Sequence, residues 1–425
     1  MITIIDSIMG SGKTSWAIRT MNERTDKRFL YCTPYLTEID RIKAACRRRG
    51  FVSPRNVGAG KLDSFNEYLE QGRHIAVTHS TFCRADSRTA AALAEKPYIL
   101  IVDEALDLVC DYNKACDDDL TDGDVRLLHR EHFFDVAADG RVVWAKPSYD
   151  NYRYRAVEEA AKGGNLFFLD ETRLIWRFPV GIISLFEEVY LMSYMTDGSM
   201  MVPLLAKHGF PLEKKSIDPV SHTLTDYRDD TLLKEEIKAR ITVCENRKMN
   251  DYPGTALSKS FYLKAKKETL SQLRRHNVNY VKNLMKADAK DVMWTVFKEK
   301  ETVLRGAGYT VARKNAGRVD PASLEPKDRC FVPCNARATN DFSDRHILMY
   351  EVNLYPDPYF RRLFDETADT EHPLRLDPDL YALSNMLQWI WRSAIRNGEE
   401  ISIYIPSTRM RTLLKRWLDG ESIAA

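Results

Sequence analysis

The chain has 425 residues, of which 44% are hydrophobic and 29% are charged, and its formal net charge is +2. This composition is typical of a folded protein with two or three domains and excludes a disordered chain. No apolar run reaches the ~18 residues of a membrane span, and the first apolar run contains Asp6, which argues against a signal peptide. We therefore expect a cytoplasmic protein that does not contact a membrane. Its eight cysteines include no C-x-x-C pair, so we expect reduced thiols.

A short β-branched run at residues 2–5 leads into a glycine-rich turn and then into a helix-compatible segment. Strand, loop and helix in this order are typical of a phosphate-binding loop. Gly10 and Gly12 let the backbone wrap closely round a phosphate. Lys13 would reach the β- and γ-phosphates, and Thr14 would bind Mg²⁺. The residues that we expect to bind ATP in this loop are Ser7, Gly10, Ser11, Gly12, Lys13 and Thr14.

Two further predicted strands end in small polar residues. Residues 28–32 predict a second buried strand that stops at Thr33-Pro34, because proline removes a backbone donor. Residues 75–82 form another strand, with Thr78 near its carboxyl end. In open α/β sheets, ligands bind beyond the carboxyl ends of the strands. We therefore expect Thr33 to be exposed at a ligand-binding edge.

An acidic pair follows the apolar run at residues 98–102. Such a run predicts a buried parallel strand, which releases Asp103 and Glu104 at its end. Asp103 would position Mg²⁺, and Glu104 would act on the attacking water as general base. About 90 residues after a phosphate loop, this pair predicts hydrolysis of a nucleoside triphosphate.

The order of these motifs resembles that of the superfamily 2 helicases, the DExD/H group. Residues 10–14 match motif I, in which helicase-type loops often replace the first glycine by a small residue such as Ser7. Thr33-Pro34 match motif Ia, Thr78 matches the next motif on the nucleic-acid side, and residues 103–106 match motif II. The resemblance implies that Thr33, Pro34 and Thr78 contact nucleic acid.

A later strand, at residues 189–196, ends with Ser193 and Thr196. It resembles the Ser-Ala-Thr motif of the same family, with one additional residue between serine and threonine. The resemblance implies that Ser193 and Thr196 couple nucleotide hydrolysis to nucleic-acid binding.

A loop at residues 335–342 follows a predicted strand at 329–332 and is rich in small polar residues. It resembles motif V, and the resemblance implies that Arg337, Thr339 and Asn340 contact nucleic acid. The alternative is a well-capped turn.

Residues 388–396 lie in a predicted helix with an apolar stripe. Gln388, Arg392 and Arg396 are four residues apart and form one row at the rim of that stripe. The row resembles motif VI, in which glutamine is followed by arginine at four and usually seven residues; here the second arginine is at eight. The resemblance implies that Gln388, Arg392 and Arg396 are catalytic, with the arginines as fingers on the γ-phosphate. The alternative is a surface salt-bridge row.

About 85 residues separate motif II from the strand at 189–196, which is more than a helicase lobe needs. Within them, the tyrosines and arginines of residues 149–155 either guide nucleic acid through Arg153 and Arg155 or form an ordinary half-buried surface. A metal site is a second open question, because the segment contains four zinc-ligand types whose spacing misses the usual finger pattern. These residues are Cys110, Cys116, His129 and His132.

We therefore predict an α/β protein with two tandem RecA-like lobes, built from mostly parallel sheets flanked by helices. Residues 1–225 form the ATP-binding lobe, with a mainly helical insertion at about 106–180, and residues 226–425 form the C-terminal helicase lobe. Since the first strand begins at residue 2, we expect no adenine-reading glutamine element, hence a loose nucleobase preference and the DExH type.

The resemblance is closest to helicase-like proteins encoded by tailed phages and prophages, on the runs 293–295, 335–340 and 388–393. It implies an ATP- and Mg²⁺-dependent helicase or translocase that acts on DNA rather than RNA, in phage DNA replication or recombination. Its partners would be nucleic acid and phage or host replication proteins in the bacterial host cytoplasm. Two alternatives remain: an ATP-hydrolysing loading factor that does not unwind, and a DNA-packaging motor.

Overall fold

A computed structural model describes residues 1–56, 60–116, 118–146, 152–228, 231–311, 324–335, 341–356 and 376–423. The chain forms two compact units. The first comprises residues 1–6, 12–196 and 200–226, and the second comprises residues 7–11, 197–199 and 227–425. Both are mixed α/β structures with mostly parallel sheets and flanking helices, which confirms the predicted fold class. None of the helices in the described ranges is both long and apolar enough to cross a membrane.

The central sheet of the first unit has seven strands. Apolar runs such as Phe29–Thr33 and the first four residues of Ile99–Asp103 are fully buried, as expected for strands covered on both faces. The strands of this unit are β1 (Ile2–Asp6), β2 (Phe29–Thr33), β3 (Ile75–Thr78), β4 (Ile99–Asp103), β5 (Val109–Asp111), β6 (Phe134–Val136), β7 (Val142–Trp144), β8 (Leu166–Leu169), β9 (Arg173–Arg177), β10 (Glu188–Ser193), β11 (Leu212–Ile217) and β12 (Leu224–Asp226).

The order across the sheet is β12-β11-β1-β10-β4-β2-β3, and all neighbours are parallel except the hairpin of β11 and β12. The first strand, β1, therefore has β10 on one side and β11 on the other. The carboxyl ends of β1, β10 and β4 meet at one edge, with Asp6 opposite Ser193 and Met192 opposite Asp103. This register brings three predicted motifs together.

The helices of the first unit flank this sheet or lie in the insertion. They are α1 (Lys13–Glu23), α2 (Leu36–Ala45), α3 (Lys61–Glu70), α4 (His79–Phe82), α5 (Ser87–Glu95), α6 (Tyr112–Cys116), α7 (Asp122–Arg130), α8 (Arg155–Lys162) and α9 (Met201–Lys207).

The insertion has a small core of its own, built from helices α6 to α8 and two antiparallel sheets, β5-β9-β8 and β6-β7. We predicted its helices but not its strands, because strands of three to five residues are too short to show a clear alternation. Arg153 pairs with Asp119 and Asp124, and Arg155 pairs with Glu159. These ion pairs favour a surface role for the two arginines.

The second unit has a four-stranded parallel sheet in the order β13-β16-β15-β14. The prediction of a strand at 329–332 was wrong, because Arg329 and Phe331 form only isolated bridges. The charged stretch at 226–238 contains most of a helix whose Ile237 is buried. The strands are β13 (Ile241–Val243), β14 (Val292–Thr295), β15 (Ile347–Tyr350) and β16 (Ile401–Tyr404). The helices are α10 (Thr231–Ala239), α11 (Lys259–Lys264), α12 (Lys267–Asn279), α13 (Glu301–Leu304), α14 (Pro378–Ile390) and α15 (Thr408–Leu418).

The core of the second unit contains a buried carboxyl group. Glu351 directly follows β15 and is fully buried, in the neighbourhood of Tyr262 and Tyr404. Burial raises the pKa of Glu351 to about 8, although Asn277 acts in the opposite direction. The folded protein therefore favours the protonated carboxyl group at neutral pH.

The raised pKa of Glu351 predicts that the stability of the folded protein depends on pH. Because its pKa rises from 4.5 in the unfolded chain to about 8 in the folded one, the free energy of unfolding should fall as pH increases through this window, by on the order of 5 kcal/mol. Glu351→Gln should remove this dependence and raise the melting temperature at pH 8, whereas Glu299→Gln, at an exposed position, should not. Thermal unfolding between pH 5 and 8.5 measures the effect. The same pH dependence in Glu351→Gln and wild type would contradict it.

Candidate functional site

The phosphate loop connects β1 to α1, which begins at Lys13 as the motif predicts. Gly10 and Gly12 have φ angles of 84° and 93°, in the left-handed region that favours glycine. Gly12 occupies the N-cap of α1 and has no side chain with which to cap the helix. The first N–H groups and the positive end of the helix dipole can therefore bind an anion.

Both serines of this loop are buried. The hydroxyl of Ser11 is buried with no hydrogen-bond partner among the residues that the structure describes. A buried hydroxyl without a partner costs free energy unless something binds it. A phosphate oxygen in the loop would satisfy Ser11, so the loop fits a nucleotide.

Asp103 ends β4 and is placed where it could hold a metal ion. Burial, together with the nearby carboxylates of Glu104 and Glu38, raises the pKa of its carboxyl group to about 7, and Tyr31 and Lys13 only partly offset this rise. A divalent cation would compensate this buried negative charge. The residues therefore fit Mg²⁺, with Asp103 and Thr14 as the groups that would hold it.

Thr33 takes a place that we did not predict. We expected it to be exposed to nucleic acid, but it is fully buried and donates a hydrogen bond of 3.4 Å to Oδ2 of Asp103. The neighbouring strands β2 and β4 place the hydroxyl beside that carboxylate. Thr33 therefore holds the carboxylate of Asp103 by a hydrogen bond. The prediction that Thr33 is exposed was wrong.

Glu104 has an unusual backbone conformation, with a φ angle of 67°. Its N–H donates to the carbonyl of Met192 at 2.8 Å, and Ser193 Oγ donates to its Oε2 at 3.1 Å. A non-glycine residue in this region is strained, and such strain is concentrated at functional sites. The strand β10 thus fixes both the backbone and the carboxylate of Glu104.

Asp6, at the end of β1, binds the segment that follows β10. Its carboxylate is buried and accepts hydrogen bonds from the N–H of Met195 at 2.9 Å, the N–H of Thr196 at 3.1 Å and the hydroxyl of Thr196 at 2.7 Å. The additional residue between Ser193 and Thr196 is accommodated by the left-handed conformation of Met195, with a φ angle of 52°. Ser193 and Thr196 therefore link β10 to the acidic pair and to the strand that enters the phosphate loop.

Sequence reasoning missed several residues of this site. Asp6 had a signal, since it is a charged residue at the end of an apolar strand, directly before the loop. His79 is buried, and its Nε2 lies 2.9 Å from the backbone oxygen of Asp103. Tyr31 and Glu38 also lie close to Asp103. The last three are distant in sequence from the acidic pair, so no local pattern pointed to them.

The remaining predicted nucleic-acid contacts of the first unit lie at its sheet edge. Pro34 directly follows β2 and is half-buried. Thr78 ends β3, and its hydroxyl lies within hydrogen-bond distance of the hydroxyls of Ser80 and Thr81. The nucleic-acid contacts predicted in the C-terminal lobe lie outside the described residues; they are Arg337, Thr339 and Asn340.

The predicted motif VI helix ends earlier than we expected. The helix α14 ends at Ile390, where Ser393 Oγ donates to the carbonyl of Ile390 at 2.6 Å and so satisfies a terminal acceptor. Gln388 is in the helix, Arg392 is buried in the turn that follows, and Arg396 is exposed in a 3₁₀ turn. The three side chains therefore do not form one row on one helix.

The four metal-ligand candidates of the insertion lie on different elements. Cys110 is in β5 and Cys116 ends α6, whereas the ring of His129 packs against Phe134 and Phe168. Within the described ranges, no three His, Cys, Asp or Glu side chains are grouped so that they could hold a metal ion.

Comparison with known proteins identifies the family of the chain. Residues 235–418 match the model of the YonV C-terminal Rossmann-like domain. Over 440 aligned residues the chain is 32% identical to the SPbeta prophage-derived uncharacterized protein YonV of Bacillus subtilis (strain 168), with 99% of each chain covered. The chain belongs to the YonV family. This prophage-derived relative confirms the predicted resemblance of the chain to prophage-encoded proteins.

Solved structures identify the fold of this YonV-family protein. The apo structure of XPD aligns with a TM-score of 0.54 and 12% identity, covering 100% of this chain and 96% of that chain. The structure of Xpd4 from S. tokodaii aligns with a TM-score of 0.50 and 14% identity, covering 99% of this chain and 94% of that chain. The chain therefore has the two-lobe fold of these XPD structures, which confirms the predicted architecture.

Proposed function

We propose that this protein is an ATP-dependent nucleic-acid helicase or translocase, with DNA as its substrate. The observation that carries this proposal is the set of hydrogen bonds at the carboxyl edge of the first sheet. Asp6, which directly precedes the phosphate loop, and Glu104 of the acidic pair are both bound by the segment 193–196. In a chain with the fold of XPD, this arrangement supports an ATPase in which nucleotide hydrolysis is coupled to nucleic-acid binding.

The chemistry follows from the position of each group. Lys13 and the N-terminus of α1 would bind the β- and γ-phosphates. Mg²⁺, held by Thr14 and Asp103, would neutralise the charge of the phosphates. Glu104 would orient the attacking water and accept its proton, with its carboxylate held in place by Ser193.

Thr196 provides a test of the coupling that we propose for residues 193–196. Thr196→Val keeps the shape of the side chain but removes the 2.7 Å hydrogen bond to Asp6, a bond to a charged acceptor that is worth about 1.5–3 kcal/mol. We expect ATP hydrolysis to persist while strand separation per ATP falls at least several-fold. Thr225→Val, on the edge strand β12 of the same sheet, serves as the matched substitution. Equal unwinding per ATP in wild type and Thr196→Val would remove the coupling role.

Arg392 is the residue of the second unit that we propose as an arginine finger. Such an arginine stabilises the charge that develops on the γ-phosphate and contributes about 10³–10⁵-fold to the rate. Arg392→Ala should therefore lose hydrolysis by this order while it still binds ATP. Arg396→Ala should have a smaller effect, because Arg396 is exposed and lies eight residues after Gln388 rather than the usual seven of the motif. Full turnover by Arg392→Ala would defeat the assignment, and circular dichroism would show whether the buried substitution alters the fold.

ATP hydrolysis measured with and without single-stranded DNA, single-stranded RNA or duplex DNA tests the proposed substrate. We expect single-stranded DNA to stimulate the rate most. Stimulation by RNA alone would overturn the assignment to DNA, and hydrolysis that no nucleic acid stimulates would overturn the proposed function.

Two alternatives remain open. The first is an ATP-hydrolysing nucleic-acid-binding or loading factor, which would show stimulated hydrolysis without strand separation. The second is a DNA-packaging motor, which should carry a nuclease domain with clustered metal-binding carboxylates. The likeness of the fold to XPD favours the helicase. The prophage relative suggests a role in phage DNA replication or recombination, in which phage or host replication proteins in the bacterial cytoplasm would be partners.

A further inference from the structure

The hairpin between β11 and β12 carries a histidine to the phosphate loop. His222 packs against Gly12, so that a Cβ atom added to Gly12 would lie 2.8 Å from Nε2 of the imidazole. No side chain fits at Gly12 without displacing this ring. Gly12 is therefore constrained twice, by its left-handed backbone and by the approach of His222.

The loop that carries His222 is held in place by its own hydrogen bonds. Asp218 Oδ1 accepts from the N–H of Ser221 at 2.8 Å and from that of Val220 at 3.1 Å, and the N–H of His222 donates to the carbonyl of Asp218 at 2.9 Å. His222 itself has a φ angle of 52°, which is uncommon for a residue with a side chain. The position of the imidazole is therefore set by the loop.

The same loop is tied to the helix that follows the phosphate loop. Arg19, in α1, donates to the carbonyl of Ser221 at 2.9 Å and to the carbonyl of His222. The guanidinium group thus links the hairpin to the helix whose N-terminus would bind phosphate. These contacts join the β11–β12 hairpin to the phosphate loop and to α1. The imidazole of His222 therefore lies beside Gly12, the residue before Lys13.

We propose that His222 is a phosphate-contacting residue of the nucleotide site, whose imidazole donates a hydrogen bond to the phosphate chain. Gly12 is the last residue of the phosphate loop before Lys13. Nε2 of His222 lies against Gly12 and would therefore lie beside the phosphate that the loop binds. The hydroxyl of Ser11, buried and without a partner among the described residues, points to the same ligand. This inference rests on the proposed nucleotide site and adds to it a residue from outside the helicase motifs.

The test is the affinity of the purified full-length protein for ATP and for inorganic tripolyphosphate, measured by titration calorimetry. His222→Ala should weaken both about tenfold, since a hydrogen bond to a charged group is worth about 1.4 kcal/mol or more. His222→Gln, which keeps a donor, should recover part of the loss. His208→Ala is the control, because His208 is an exposed histidine of the same unit. The melting temperatures of the variants exclude a loss of fold.

Two results would overturn the inference while the proposed function stands. One is unchanged affinity of His222→Ala for both ligands, and the other is weakened ATP binding with unchanged tripolyphosphate binding, which would assign His222 to the nucleoside. If wild type binds neither ligand, or if Lys13→Ala binds both as tightly as wild type, the nucleotide site itself fails and the proposed function with it.

Discussion

Glu104→Gln should abolish ATP hydrolysis and leave ATP binding nearly unchanged. The substitution keeps the size of the side chain and can still accept a hydrogen bond from Ser193, but it removes the base that would accept the proton of the attacking water. A general base contributes about 10²–10⁴-fold to a rate, so we expect a fall of this order in kcat. The removal of one negative charge next to Asp103 should, if anything, favour the binding of a nucleotide polyanion.

The measurement combines steady-state phosphate release with equilibrium binding of ATP. Glu67→Gln is the matched control, since Glu67 is an exposed glutamate of the same unit on α3. It should behave as wild type in both assays. Hydrolysis by Glu104→Gln within tenfold of wild type would show that another group activates the water.

Lys13→Ala should lose both binding and hydrolysis, in contrast to Glu104→Gln. Its ammonium group is the side-chain cation that the phosphate-loop motif directs at the β- and γ-phosphates, and bonds to charged groups contribute about 1.5–3 kcal/mol each. The Kd for ATP should therefore rise at least about tenfold, and turnover should fall below detection. Lys43→Ala, at an exposed position on α2, provides the comparison.

The opposed patterns of these two variants separate a binding role from a chemical role. If Lys13→Ala binds ATP as tightly as wild type, the loop at residues 7–14 is not the nucleotide site. If both variants lose binding equally, Glu104 holds the nucleotide or its metal ion, and its assignment as the base is wrong.

The parts of the site that could be predicted from sequence are those whose residues are neighbours in the chain. The phosphate loop and the acidic pair each contain a strand, a turn and their functional side chains within about 15 residues, so local patterns located β1, β4 and the start of α1. The fold class followed from the alternation of such strands with helices.

The parts that were missed depend on contacts between distant residues. Asp6 and Thr196 are 190 residues apart, and only the strand order, which puts β10 beside β1, joins them. His222 reaches Gly12 through a hairpin at the other side of β1. No periodicity in the sequence encodes either pairing.

Helix ends were also misjudged where tertiary contacts decide them. The apolar spacing of residues 383–394 continues past Ile390, and Ala394 is buried as the stripe predicts. The backbone nevertheless leaves the helix, because Ser393 bonds back to Ile390 and the N–H of Ala394 donates to the carbonyl of Arg345. The stripe located the buried face correctly but could not show where the helix stops.

The most direct test of the account is ATP-dependent strand separation of a forked DNA duplex, compared with a blunt duplex of the same sequence. The proposed helicase should separate the forked duplex faster than the blunt one, only with ATP and Mg²⁺, and Glu104→Gln should separate neither. Wild-type protein that hydrolyses ATP in response to single-stranded DNA but leaves both duplexes intact would contradict strand separation as the function and favour a loading factor.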